Sequence, residues 1–205
     1  MSARTVLLDV GGVLTSDPWQ SILLTPRRGL ADRLGLDRDV VERHAQRLWS
    51  RHSVERTDAA TYWAELEEAL GRPLPRELVG QLEEDLIEPG PYAERILREV
   101  AARSVRIGVI SNNTCFWYPR QERLLGLDRY VDPDLVFLSC RVGVAKDSEP
   151  RGLFAVAADA LEPPTTLVVD DKDKNVTRAR ACGFRAVRYE MHSPPDDLID
   201  GCDGA

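Results

Sequence analysis

Thr5-Val6-Leu7-Leu8-Asp9-Val10-Gly11-Gly12-Val13-Leu14-Thr15 is the stretch from which the rest of the chain can be read. The apolar run over residues 4–9 stops at a pair of glycines, as a strand buried on both faces of a parallel sheet does. Its one acidic residue, Asp9, falls at the carboxyl end. Comparable runs recur at residues 105–111, 135–139, 166–170 and 185–189. Helical spacing of apolar residues fills the intervals at 92–100, 121–125, 153–161 and 175–182. Strand and helix alternating in this way predict an α/β fold, a parallel sheet connected by right-handed crossovers.

The alternation is interrupted once, between residues 16 and 88, where the periodicity is helical throughout. Val41, Ala45, Leu48 and Trp49 share one face, behind Asp37 or Asp39 as N-cap. Ala59, Tyr62, Trp63, Leu66 and Leu70 form a second stripe that Gly71 and Pro73 end. Leu78, Leu82 and Leu86 form a third, and Pro89-Gly90-Pro91 closes the segment. The expectation is an insert of about four helices, with Trp49 and Trp63 in its core. Residues 201–205 are expected to fray.

At 205 residues the chain has room for one full core and a small insertion. Lys and Arg number 27 against 34 Asp and Glu, so at a net charge of −7 no overall basic field holds nucleic acid or an anionic membrane. Cys115, Cys140, Cys182 and Cys202 are widely spaced without a CxxC pair. That argues against a zinc knuckle or a disulfide framework and for a reducing cytosol. The N-terminus lacks the length and cleavage site of a signal peptide, and no later apolar run could span a bilayer. A cytoplasmic protein is expected.

In open parallel sheets, ligands bind beyond the carboxyl ends of the strands. The polar residues collect there: Asp9 after the first strand, Ser111-Asn112-Asn113-Thr114 after the second, Lys146 past the third, Asp170-Asp171 after the fourth. Carboxylates from two strand ends can share a hard divalent cation. A lysine and a hydroxyl beside them suit a phosphoryl group, whose charge must be offset in the transition state.

Four pieces in this order, Asp9-Val10-Gly11-Gly12-Val13-Leu14-Thr15, Ile110-Ser111-Asn112, Lys146, and Val169-Asp170-Asp171 followed by Asn175, resemble the motifs of the haloacid-dehalogenase-like (HAD) superfamily. Within it the chain is similar to small phosphatase-like members whose helical cap follows the first strand, and the resemblance covers nearly its whole length. It implies a three-layer, Rossmann-like parallel-sheet core at residues 1–15 and 89–205 and an all-helical cap at 16–88. It further implies Mg²⁺-dependent hydrolysis of a small phosphorylated metabolite, sugar phosphates among them, through an aspartyl-phosphate on Asp9. Asp9, the Gly11 carbonyl and Asp171 would bind Mg²⁺, with Asp170 and Asn175 orienting them. Ser111 and Asn112 would hold phosphoryl oxygens, and Lys146 would offset the charge of Asp9 and the phosphate. Trp19, in the hinge entering the cap, reads either as a substrate contact or as packing, and so do Arg27-Arg28 and residues 116–120 near the expected mouth.

Two departures stand out. The family's usual general acid is an Asp two residues after the nucleophile, and this chain has Gly11 there. Such an acid is worth about 10²–10⁴-fold in rate. Asp17, Lys172 and His52 are candidate stand-ins, although Lys172, Asp173 and Lys174 also read as a solvated loop. Lys146 is followed by Asp147-Ser148-Glu149-Pro150, where the family more often has proline at once. Two rival readings follow. A protein that lost turnover with its acid would bind a phosphorylated ligand or a partner. A 2-haloacid dehalogenase would use the same nucleophile without a metal, which the paired Asp170-Asp171 disfavours.

Overall fold

In the computed structural model, which describes residues 4–103 and 105–203, strand β1 (Thr5–Leu8) is buried along its whole length. It pairs in parallel with β2 (Arg106–Ser111) on one side and β4 (Thr166–Asp170) on the other. With β3 (Val131–Leu138) and β5 (Arg185–Arg188) at the edges, the order is β3-β2-β1-β4-β5. The chain reverses its direction of sheet growth between β1 and β4, so the crevice at their carboxyl ends is the place where such sheets take ligands.

Alternation along the strands builds the two outer layers. Val6, Leu8, Ile107, Val109, Leu167 and Val169 pack against Ile96, Leu97 and Val100 of α6 (Ala93–Ala102) and against Leu198 and Ile199. Leu7, Ile110 and Val168 point the other way, onto Leu153, Phe154, Val176 and Ala179. The remaining elements around the sheet are α7 (Tyr118–Leu125), the single turn α8 (Ser139–Val142), α9 (Leu153–Ala160), α10 (Asp173–Ala181) and α11 (Asp196–Asp203).

Between β1 and α6 lie five helices, two of them short: α1 (Pro18–Leu24), α2 (Leu30–Arg33), α3 (Arg38–His52), α4 (Ala59–Leu70) and α5 (Arg76–Leu86). Asp37 and Asp58 cap α3 and α4, accepting from the N–H groups of Val40 and Thr61. These helices share a core of their own, built on Ile22, Val41, Ala45, Tyr62, Trp63, Leu66 and Leu82. The strands of chain that enter and leave the insert run side by side. Ser16 N–H donates to the Glu88 carbonyl at 2.9 Å, and Gly90 N–H to the Leu14 carbonyl at 2.8 Å.

Several sequence expectations need correction. The third strand begins at Val131, not residue 135, and Ser139 opens α8 rather than ending the strand. Asp132, Pro133 and Asp134 break the apolar run, which an edge strand tolerates because one side of its backbone needs no partner. Residues 201–203, where fraying was expected, complete α11, with Cys202 buried against the sheet; Gly204 and Ala205, like Met1–Ala3, lie outside the described residues. Cys115 and Cys140 are joined in a disulfide, against the expectation of four free thiols. No described helix is long and apolar enough to cross a membrane.

Gly108 sits at the irregularity in the β2–β3 pairing, between Ile107 and Val109. A Cβ there would lie 2.6 Å from the Leu135 carbonyl oxygen and 2.7 Å from Leu7. Neither neighbour can retreat without moving the sheet. Gly108→Ala is expected to destabilise the protein by about 1–3 kcal/mol in urea unfolding; an unchanged midpoint would show the sheet to be more pliant than its packing implies.

Candidate active site

The polar groups beyond the strand ends converge because their backbones are tied to the sheet. Asp9 follows β1 directly, and its N–H donates to the Val169 carbonyl of β4 at 2.9 Å. Asp170 closes β4 and Asp171 comes next. Lys146 lies on the loop between α8 and α9, where its N–H donates to Asn112 Oδ1 at 2.8 Å. The turn after β2 therefore positions the lysine.

The Lys146 ammonium, almost wholly buried, lies 2.7 Å from Asp9 Oδ2 and 2.6 Å from Asp170 Oδ2. Burial disfavours its charge, but the two carboxylates outweigh burial and raise its pKa. Asp170 is saturated: Oδ1 accepts from the Lys172 N–H and from Asn175 Nδ2, both at 2.9 Å. Burial opposes its ionisation, yet Lys146 and these donors hold it below the ordinary carboxylate value. Asp9 is pushed up by burial, against the pull of Lys146 and with the push of Asp170.

One oxygen each from Asp9, Asp170 and Asp171 lies within 4.8 Å of the others. Asp171 Oδ1 is buried with no hydrogen-bond partner. Oxygen donors of this kind, one of them unsatisfied, fit a hard divalent cation such as Mg²⁺. Asp170 spends both oxygens on protein donors, and Asp9 is bonded at Oδ2 to Lys146 and at Oδ1 to the Val10 N–H, so Asp171 is the carboxylate with an oxygen to spare and Asp9, which faces the cavity, could share a cation with it. Asp171 packs against bare backbone: Gly12 has φ +81°, and a Cβ there would lie 2.7 Å from Asp171 Oδ2. Only glycine suits that position.

Of this cluster, Asp9 lines a cavity of about 410 Å³, with Gly11, Lys146, Asn112, Asn113 and Lys172 beside it on the sheet side, while Asp171 lines a neighbouring cleft with Gly12 and Lys172. The insert contributes Asp17, Trp19, Gln20, Gln46, Trp49 and Ser50. Ser111 does not line the cavity; its Oγ is buried and has no hydrogen-bond partner. Asn113 Nδ2 donates to Gln121 Oε1 at 2.8 Å, and Gln121 Nε2 to Thr15 Oγ1 at 2.7 Å, tying the turn after β2 to the loop after β1. A second cleft, about 580 Å³, opens at Arg56, Thr61, Cys115 and Arg141, and none of the clustered carboxylates lines it.

Solved structures match this arrangement over nearly its full length. A HAD-like family hydrolase from Porphyromonas gingivalis superposes with a TM-score of 0.73 at 21% identity, covering 98% of each chain. The chain has the HAD-like fold. A HAD family enzyme from Bacteroides thetaiotaomicron, in complex with magnesium and inorganic phosphate, follows at TM-score 0.70 and 16% identity, over 96% of this chain and 98% of that one. An L-2-haloacid dehalogenase from Xanthobacter autotrophicus with chloropropionic acid covalently bound matches at 0.62 and 18%, over 99% and 85%. No family model and no curated protein sequence matches the chain.

On this HAD-like scaffold, Asp9, Lys146, Asp170, Asp171 and Asn175 come together, with Asn112 and Gly11 beside them. Trp19 packs in the insert core and lines the cavity as well. Arg28 turns away, pairing with Glu88 and donating to the Asp85 carbonyl. Trp117 and Tyr118 are buried and do not line the cavity. His52 is locked inside the insert, its ring bonded to Thr57 and Glu65. Lys172 and Lys174 are exposed, as a solvated segment would be, and they also line the cavity; Trp49 belongs to its wall as well as to the insert core. Gln20, Gln46 and Ser50 were missed, because on a helix pattern they read as ordinary surface polar residues.

Burial is the main reason that Asp17 and Asp171 are each pushed up to about 6. Both would ionise near 3.8 when unfolded. The stability attached to their protonated forms is therefore complete below about 3.8 and is lost as pH rises through about 6. A cation held between Asp9 and Asp171 would offset that loss. Mg²⁺ at a hundredfold excess over its Kd is expected to raise Tm by on the order of 5 °C at about pH 8 and by less at about pH 5. Asp171→Asn should abolish the rise; an equal shift at both pH values would contradict the assignment.

Proposed function

We propose that this chain is a Mg²⁺-dependent phosphohydrolase acting on a small phosphorylated metabolite, sugar phosphates among the candidates, through an aspartyl-phosphate on Asp9. The observation that carries the reading is the carboxylate cluster at the cavity. A buried ammonium is held against Asp9 on the cavity wall, and Asp171, with an oxygen within 4.8 Å of Asp9, keeps an oxygen without a partner. The P. gingivalis and B. thetaiotaomicron structures, one holding magnesium and phosphate, supply a precedent for this fold.

In this reading Asp9, the Gly11 carbonyl and Asp171 hold the cation, and Asp170 and Asn175 brace the set. Bound Mg²⁺ supplies positive charge opposite the phosphoryl oxygens. A carboxylate oxygen of Asp9 forms the bond to phosphorus while the ester bond breaks and its electron pair leaves with the alcohol oxygen. Water then cleaves the aspartyl-phosphate and restores Asp9. Lys146, with Asn112, faces the charge that the phosphoryl group brings, while Ser111 lies buried behind the cavity wall. Residues 1–15 and 89–205 act as the catalytic unit, and the cap, 16–88, covers the cavity and chooses the substrate through Trp19, Trp49, Gln46 and Ser50. Three clustered carboxylates favour this over dehalogenation, which needs only one.

Phosphate release is to be measured on a panel of sugar phosphates, nucleotides and small phosphoesters, with Mg²⁺ and with EDTA. Selective release is expected with Mg²⁺ only, and Asp9→Asn should lower it by at least about 10³-fold. Release no greater than that of the Asp9→Asn protein on every substrate would reject the phosphohydrolase and leave the binding-only reading that Gly11 allows.

A further inference from the structure

Gly11 is not a glycine that its backbone demands. Its φ lies outside the left-handed region. A Cβ placed there meets nothing closer than 3.6 Å. The three nearest atoms all belong to one residue: Asp17 Cα at 3.6 Å, and Asp17 Cβ and Cγ at 3.8 Å. The room into which a side chain at 11 would grow is bounded by the side chain of Asp17.

Asp17 is itself poorly explained by local structure. It stands at the N-cap of α1 without a well-formed side-chain capping bond, the Trp19 N–H exerting only a weak pull on its carboxylate. Its Oδ1 is buried and has no hydrogen-bond partner, a cost that folding ordinarily avoids. The residue lines the same cavity as Asp9 and Lys146. Its backbone is fixed from both sides: its carbonyl accepts from Ser21 N–H at 2.9 Å, and the preceding Ser16 N–H is bonded to Glu88. Lys172, Asp9, Asp171 and Tyr62 are the ionisable groups that sense it. Of the other stand-ins open in the sequence, His52 is committed to Thr57 and Glu65 inside the insert. Lys172 serves as counter-charge to Asp171, Asp9 and Asp17.

We propose that Asp17 is the catalytic acid of this enzyme, supplied from the hinge of the cap in place of the side chain missing at Gly11. Its carboxyl gives a proton to the leaving alcohol oxygen as the P–O bond breaks. The resulting carboxylate takes a proton from the water that attacks the aspartyl-phosphate, so each turnover returns it to the acid form. The proposal rests on the phosphohydrolase reading, and it goes further by placing the proton on a residue outside the four motifs.

A leaving group that needs no proton separates this role from a structural one. Asp17→Asn is to be compared with wild type on 4-nitrophenyl phosphate and on the alkyl phosphate that wild type turns over fastest. On the alkyl ester kcat/KM should fall by about 10²–10⁴-fold. On the aryl ester the variant should release one enzyme equivalent of nitrophenol in a burst and then stall. Intact-mass measurement should find one phosphoryl group on the stalled protein, and none when Asp9→Asn is added. The double variant Gly11→Asp/Asp17→Ala, whose new carboxyl enters the vacated room, should regain alkyl turnover relative to Asp17→Ala. Undiminished alkyl turnover in Asp17→Asn, or equal loss on both esters without a burst in a protein that melts like wild type, would overturn the assignment while leaving the phosphohydrolase standing. Wild type inactive on both esters and across the panel would remove both.

Discussion

The site depends on one buried ammonium. Lys146 sits between Asp9 and Asp170 at hydrogen-bond distance from each, with almost no contact with solvent. Taking two carboxylates and a lysine out of water costs several kcal/mol per ion, which only close, well-bonded geometry offsets. The surroundings supply that geometry. Asn112 holds the lysine backbone, and Asn175 and the Lys172 N–H fill the free oxygen of Asp170. The ends of β1, β2 and β4 and the loop before α9 are thereby fixed to a common point. Asp171 is the carboxylate this arrangement leaves over, and for that reason it is the natural place for further positive charge.

Much of this was legible in the sequence, for definite reasons. β1, β2 and β4 declare themselves because strands packed on both faces must be apolar at nearly every position, whereas β5, at the edge with arginine at both ends, is legible mainly from its place in the alternation. Asp9, Lys146, Asp170 and Asp171 were legible because polar residues stand out where such runs stop. The start of β3 was hidden by Asp132, Pro133 and Asp134, which only an edge position permits. The Cys115–Cys140 bond was hidden because its partners are 25 residues apart and meet only once β2 and β3 are paired. Asp17, Lys172 and His52 could not be ranked from the sequence, which does not show that one of the three is enclosed in the insert and another is a counter-ion. That the solvated Lys174 also lines the cavity was hidden because a loop pattern does not say which way the first turn of α10 faces.

The insert divides its side chains between two tasks. Ile22, Val41, Ala45 and Leu66 give it a core independent of the sheet. Gln20, Gln46, Ser50, Trp19 and Trp49 are turned to the cavity. Amide and hydroxyl groups beside indole faces are suited to a polar, hydroxylated ligand. The volume of about 410 Å³ suits a small one.

Glu83 gives the molecule a mechanical linkage. One of its carboxylate oxygens accepts from two indoles, Trp63 at 3.3 Å within the insert and Trp117 at 3.0 Å in the segment that follows β2. Trp117 also stacks on Trp49, a wall of the cavity, and its N–H donates to Thr114 Oγ1, whose own N–H is bonded to Asn113. The insert therefore cannot swing as a free lever. Lifting it away from the sheet either breaks an indole loose from Glu83 and unstacks a tryptophan pair, or drags the Asn112-Asn113 turn along. Whatever leans on the far wall of the cavity is felt at its floor.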